Sequence, residues 1–331
     1  MHTTPIDHTQ FGPCRRGIRR RLAAISLRSV LGICLGLASL HNAWGEETTE
    51  SERHRLQTYL YGATPEESER LTEERKRLSA AAASFGTDPT AIIGYYELAY
   101  GHSEFVSPLR LDTATAVVQV PITPNWLVRV MVPYVWADLN SPRGFTTNGV
   151  GDMVVRTGGR LYSSPNVALF VGTDASFPTA ANDRLGTGKY TLGPGGAVGI
   201  PLPRIQSLFY TLVQDFNSVG GDPRGGKIHY MQVQAILNTI WSQHVWSRAF
   251  MTWDMDWESN RKTTMNLQGE VGYQFYKQWS AFVGYGAGVV GRDTFLGLDW
   301  QAQAGVRWVF QTPLFQEKLF STPLGPASDS K

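Results

Sequence analysis

The sequence predicts an all-β protein: a transmembrane, antiparallel, up-and-down β-barrel of about twelve strands with a short N-terminal helical segment. Three observations predict it. First, apolar and polar residues alternate over long runs. In residues 167–177 the odd positions are Val167, Leu169, Val171, Thr173, Ala175 and Phe177, whereas the even ones include Gly172, Asp174 and Ser176, so one face of a strand is apolar and the other polar. Second, the runs are about as long as a tilted strand needs to cross a bilayer, and longer than the strands of an ordinary water-soluble sandwich. Third, the connections are short on one side and mostly longer on the other, as in barrels with tight periplasmic turns and extended outer loops.

Composition agrees. Only 18% of residues are charged, 11% are aromatic, and there are 34 glycines. The mean hydropathy of −0.21 does not argue against a membrane, because alternation averages itself away.

Residues 1–45 read as a secretory signal. Arg15, Arg16, Arg19, Arg20 and Arg21 precede a mostly apolar stretch at 22–40, followed by Ala43-Trp44-Gly45 and the acidic pair Glu46-Glu47. A basic flank, an apolar core and small residues at minus three and minus one predict cleavage after Gly45. A membrane anchor is the rival, weakened by Arg28 within the stretch; a lipoprotein site at Cys34 is disfavoured by the bulky Ile33 before it. Both cysteines, Cys14 and Cys34, fall in this segment, so the expected mature chain has no thiol for a disulfide, metal site or nucleophile. Removing the segment lowers Lys+Arg from 30 to 24 and Asp+Glu from 28 to 27. The basic character thus belongs to the leader, and nothing points to nucleic acid as a partner.

Residues 46–85 are predicted as a helical periplasmic segment. Thr64 caps the helix, Pro65 takes its first position and Glu67 closes a capping box. Leu71 and Leu78, seven apart, form only a thin apolar stripe. A solvated helix is the simplest reading; a coiled-coil contact with a periplasmic protein partner, or a plug entering the barrel, are the alternatives.

The barrel is assigned to residues 86–310, with strand runs at 91–102, 110–121, 126–137, 150–163, 166–177, 190–201, 205–216, 228–240, 246–257, 264–275, 279–290 and 297–310. Short connections follow the even-numbered runs, and the longest follow the third, fifth and seventh, which puts both termini in the periplasm of a bacterial outer membrane. Lipid is the expected partner of the outer faces: Trp126, Val128, Val130, Val132, Tyr134 and Trp136; Met251, Trp253, Met255 and Trp257; Leu298, Trp300, Ala302, Ala304, Val306, Trp308 and Phe310. Trp and Tyr gather near strand ends, at the two interfaces. Residues 311–331 form a periplasmic tail; Phe310 resembles the terminal aromatic assembly signal of outer-membrane proteins, here followed by twenty-one residues.

The opposite parity predicts a lumen lined by Glu97, Arg129, Asp152, Arg156, Arg160, Asp174, Asp254, Asp256, Glu270, Asp299 and Arg307. Their mixed signs fit a network of paired charges that stiffens the barrel, a lining that selects solutes, or both. Asp254, Asp256 and Glu258 share a face near a rim, where a solvated acidic edge competes with a hard-cation site. No metal, cofactor or catalytic residue is expected. A barrel lipase would need Ser and His together with an orienting group, and a barrel protease Asp and His. His102-Ser103 is the one adjacent pair, and neighbours on a strand point to opposite faces; His229 falls on the lipid parity and His244 in a turn. The Gly-rich stretch around Lys189 is not a phosphate loop, since neither Ser nor Thr follows the lysine at a helix start.

GVGDM at 149–153, followed by FPTAANDRLGTGKYTLGPGGAVGIPL at 177–202, resembles the outer-membrane barrels labelled as the MetA pathway of phenol degradation family. That family's pattern is GxGD entering a strand, a strand ending in Pro with a small or polar residue, and a loop carrying LGTG. The resemblance implies a transporter admitting small, often hydrophobic or aromatic, molecules. It carries across Gly151, Asp152, Gly186 and Gly188, with an architectural role. The function expected is passive uptake or export; a barrel enzyme, or an interaction barrel with a docking helix, are the alternatives.

Overall fold

The computed structural model describes residues 65–139, 144–223, 225–291 and 297–310. The predicted leader, residues 46–64 and the tail at 311–331 lie outside these. Residues 69–331 make one compact unit; of the other, 1–68, only the first turn of the helix is described.

One α-helix, α1 (Pro65–Ser84), precedes the strands β1 (Gly94–Phe105), β2 (Leu109–Thr123), β3 (Trp126–Leu139), β4 (Phe145–Val150), β5 (Met153–Ser163), β6 (Ala168–Phe177), β7 (Lys189–Leu202), β8 (Ser207–Gly221), β9 (His229–Ile240), β10 (Val245–Asp256), β11 (Lys262–Tyr276), β12 (Trp279–Val290) and β13 (Leu298–Phe310). Each strand is antiparallel to its neighbours, and β1 pairs with both β2 and β13, which closes the sheet. Closure leaves no unpaired edge among acyl chains, where an unsatisfied backbone group would cost several kcal/mol.

Thirteen strands make a twelve-stranded wall because β4 and β5 are two halves of one staff. β3 pairs with β5 through Trp126↔Gly159 to Met131↔Val154, and with β4 through Tyr134↔Val150 to Leu139↔Phe145. The break falls at Gly151-Asp152, opposite Pro133, whose carbonyl accepts from Gly151 N at 2.9 Å. The long loop expected after the third run is therefore in large part a continued hairpin.

The two faces separate as the alternation demands. Val283 and Leu98 on the outer face are 62% and 63% exposed, whereas inward-facing Glu270 and Arg307 are 3% and 4% exposed. Aromatic rings on the outer wall gather at both ends: Tyr96, Trp308, Phe310 and Trp279 at the short-turn end, Tyr134 with Trp136 and Tyr285 with Trp300 at the other. Such rings seat at the two membrane interfaces.

At the short-turn end the interior is apolar, and the chain itself fills it. From α1, Leu78 and Ala82 pack on Leu208, Tyr210 and Ile236. Phe85 joins Trp246 and Phe282, and Ala91 and Ile93 meet Tyr95, Val117 and Val309. Inward Trp246 lies across Gly272, where a Cβ would come within 2.1 Å of its ring, so the wall is thinned to admit the bulk. Of the readings open for this segment the packing favours the plug over the solvated helix: its last two turns, and residues 85–93 after it, stopper the barrel. Strand β1 begins at Gly94 instead of 91 because the preceding residues belong to this stopper.

Candidate functional site

The candidate site is the polar lumen above the stopper. It contains a cavity of about 330 Å³ bounded below by residues 86–89 and walled by Tyr95, Glu97, Arg129, Arg156, Arg248, Glu270 and Arg307 among others. Its charges are organised as cross-strand pairs. Arg156 on β5 opposes Asp174 on β6 and grips it through Nε–Oδ1 at 2.5 Å and Nη2–Oδ2 at 2.6 Å; Nη2 also donates to Gln214 Oε1 at 3.3 Å. Arg248 on β10 opposes Glu270 on β11, donating from Nε at 2.9 Å, and Gln303 donates to the second carboxylate oxygen at 3.0 Å. Arg307 on β13 opposes Glu97 on β1, with Nε–Oε2 at 2.6 Å. Opposite-charge pairs placed directly across a ladder stabilise it, and bidentate Arg–carboxylate geometry adds to that.

Arg307 has a second task. Its Nη1 donates to the carbonyls of Phe85 at 3.1 Å and Gly86 at 2.9 Å, and its guanidinium lies over the rings of Tyr95 and Phe282, each 5.3 Å away. It therefore bolts the stopper to the wall. Asn238 Nδ2 donates to Thr87 Oγ1 at 2.7 Å and Arg160 Nε to the Thr90 carbonyl at 2.8 Å, completing three polar anchors around the ring. Asp88 accepts from Thr90 N at 2.8 Å and Thr90 Oγ1 at 2.6 Å. Burial raises the Asp88 carboxyl above its ordinary range against the opposing pull of Thr90 and Arg160. A second cavity, about 430 Å³, runs beside α1 past Lys76, Ser79, Thr90, Arg160 and Ser163; Asp88 lines it too, so this carboxyl borders both spaces.

The remaining predicted lining residues divide. Asp254 is buried and held by Gln232 Nε2 at 2.8 Å. Asp256 caps the following turn, accepting from Glu258 N at 2.8 Å and Ser259 N at 3.2 Å, while Glu258 reaches Lys227 at 3.1 Å. These three carboxylates do not converge, and no cluster among the described residues has the make-up of a metal site. Asp299 shares the inward parity of Gln301, Gln303 and Arg307. Asp152 departs from the lining role expected from parity and fits the architectural one: it pins the loop at 178–188, its Oδ2 accepting from Thr187 N at 2.6 Å and Thr187 Oγ1 at 3.0 Å and its Oδ1 from Ala180 N at 3.2 Å. Gly186 is required there, because a Cβ would fall 2.4 Å from Asp152 Oδ1. Gly188 turns the chain at φ +65°, and a Cβ on Gly151 would lie 3.1 Å from Pro133. The two distant glycine motifs are halves of one clasp.

Sequence reasoning missed Arg248 and the inner amides Gln119, Gln214, Gln232 and Gln303, although strand parity places each on the inward face. His102 points outward beside Asp112, at 2.8 Å from Nδ1, with Glu104 at 3.6 Å and the Trp300 ring at 5.0 Å. Two carboxylates hold it, but Ser103 lies on the opposite parity, so the pair does not form a nucleophile and base. His229 likewise faces Asp215 at 3.4 Å.

No protein-family model matches the chain, and no curated protein matches it. Solved structures do. An outer membrane channel from Pseudomonas putida F1 is similar with a TM-score of 0.52 at 14% identity, over 67% of this chain and 97% of that one. The fold is that of an outer-membrane β-barrel. The NanC porin (TM-score 0.48, 10% identity, 64% of this chain and 98% of that one) and the KdgM porin (0.46, 7%, 65% and 99%) are more distant in shape.

Proposed function

We propose that this barrel sits in the bacterial outer membrane as a passive channel for small molecules, with both termini in the periplasm and lipid around its outer wall. The observation that carries the reading is the closed wall enclosing a charged cavity of about 330 Å³ while its outer face is apolar and ringed by aromatics at both ends. Cross-strand ion pairs keep the lumen wet and shaped, the arrangement a selective passage needs. The stopper narrows the lumen, and Asp88 borders both cavities. No catalytic step and no cofactor enters this reading.

We further place the chain with the phenol-degradation MetA-like barrels, on the clasp formed by Gly151, Asp152, Gly186 and Gly188. The solutes proposed are compact and apolar or aromatic, which the rings of Tyr95, Phe170, Phe250 and Phe282 around the cavity support. Liposomes holding the purified protein, challenged with panels of aromatic, fatty and sugar solutes, test the proposal: selective entry of compact aromatics is expected. Permeation no faster than in empty liposomes across every panel removes the channel.

A further inference from the structure

Three of the four arginines around the cavity are held in ion pairs. Arg156 holds Asp174, Arg248 holds Glu270 and Arg307 holds Glu97. Arg129 remains. Its register partner across β3 and β5 is Arg156, a like charge directly opposite, which an antiparallel ladder disfavours. Its hydrogen bond is to the Tyr95 hydroxyl at 3.4 Å, a long contact to a neutral group. Among the described residues no carboxylate lies within ion-pair distance of it. Asp174 and Glu97 act on it from farther off, and each is already gripped by another arginine, so this guanidinium has no carboxylate of its own.

The space in front of Arg129 has the shape to supply that charge. Arg129 borders the cavity together with Tyr95, Gln119, Leu127, Arg156 and Phe170. Leu127 lies two residues before it on the same face of β3 and packs with Phe170 in an apolar cluster. A planar guanidinium fork above an apolar floor suits a carboxylate carried on a compact apolar body, since the fork binds carboxylate oxygens in pairs and the floor takes the body from water. We propose that Arg129 is the anchor of a binding site for small organic monocarboxylates, aromatic ones included. The stoichiometry limits the ligand to one charge: every other arginine around the cavity already has its acid, so a second carboxylate would meet no free cation. This deepens the channel reading and rests on it for the route by which the acid arrives.

Benzoate is the probe, with benzyl alcohol as its neutral counterpart of similar shape, titrated into the purified full chain and followed by calorimetry. Benzoate is expected to bind and benzyl alcohol to bind at least about tenfold more weakly, as the loss of a charge-assisted contact implies. Arg129→Gln should weaken benzoate about tenfold or more and leave benzyl alcohol unchanged, while Arg129→Lys, which keeps the charge without the fork, should fall between. Heat-modifiable migration of each variant reports a folded barrel. If Arg129→Gln does not fold, the wild-type comparison of benzoate with benzyl alcohol decides alone. Equal affinity for the two compounds, no benzoate binding, or unchanged benzoate affinity in folded Arg129→Gln overturns the site. Neutral sugars entering liposomes without benzoate binding would remove the site and leave the channel; benzoate binding without permeation of any solute would do the reverse.

Discussion

Arg307 couples the lumen to its stopper, so replacing it should loosen one without dissolving the other. It is 4% exposed and holds Glu97 on one side and the carbonyls of Phe85 and Gly86 on the other. Arg307→Met strands Glu97 without its partner, a change costing about 3–5 kcal/mol for a buried pair. The docking of residues 85–86 loses two hydrogen bonds from a charged donor, each contributing about 1.5 kcal/mol or more. Their sum, about 3 kcal/mol, raises the population of the released stopper about a hundredfold. The expected mature chain has no cysteine, so Ala82→Cys, at a position with no exposed surface, gives a single thiol whose maleimide labelling reports release. Labelling should quicken about a hundredfold in Arg307→Met. It should stay fast in Glu97→Gln/Arg307→Met, where the stranded charge is gone but the carbonyl contacts are still missing. Protection of the thiol equal to that in the parent, with migration showing the barrel intact, would refute the assignment of Arg307 as the bolt.

Three other outcomes follow from the same contacts. Because burial holds the Asp88 carboxyl above its ordinary range, the docked stopper takes a proton more readily than the released one. Docking is then firmest below the normal carboxylate range and weakens as pH rises through the raised value; channel conductance should rise over that window in the parent, and Asp88→Asn should flatten the response. Asp152→Ala and Gly186→Ala should each free the 178–188 loop, measured as faster tryptic cleavage after the exposed Arg184, while the barrel strands stay resistant; an unchanged rate in both would dismiss the clasp. Val283→Arg, which sets a charge at the middle of the outer wall, should lower unfolding stability in lipid vesicles by about 2–4 kcal/mol, and no loss would mean that this face does not meet acyl chains.

Strand-scale order was legible because one face of each staff meets a single solvent along its whole length. Each of the twelve predicted runs overlaps one stave, although the first begins three residues early and the fourth misses the β4 half, and Trp253 and Val130 fall outward while Asp174 and Arg156 fall inward. The stopper was far less legible. Leu78 and Ala82 make a weak stripe on α1, and their partners Leu208, Tyr210 and Ile236 lie on two strands far along the chain. A signal did exist: on the otherwise polar parity, the residues toward the short turns include Tyr95, Val117, Leu127, Phe170, Leu208, Trp246 and Phe282, apolar side chains with no lipid to face. Such a ring needs an apolar occupant, and the helix supplies it. The clasp stayed hidden for a different reason: Asp152 has the parity of a lining residue, and only the fold of the loop at 178–188 brings Thr187 and Ala180 to its oxygens. Arg248 was overlooked although it is even-numbered like Asp254 on the same strand, so parity was sufficient to find it.

The most direct test of the account is the conductance of single barrels in planar bilayers, comparing the chain from residue 46 onward with the chain from residue 91 onward. A small conductance in the first and a severalfold larger one in the second is the result expected of a wet, charge-lined barrel narrowed at one end by its own N-terminal segment. Silence from both forms, with each shown to be inserted and heat-modifiable, would contradict it.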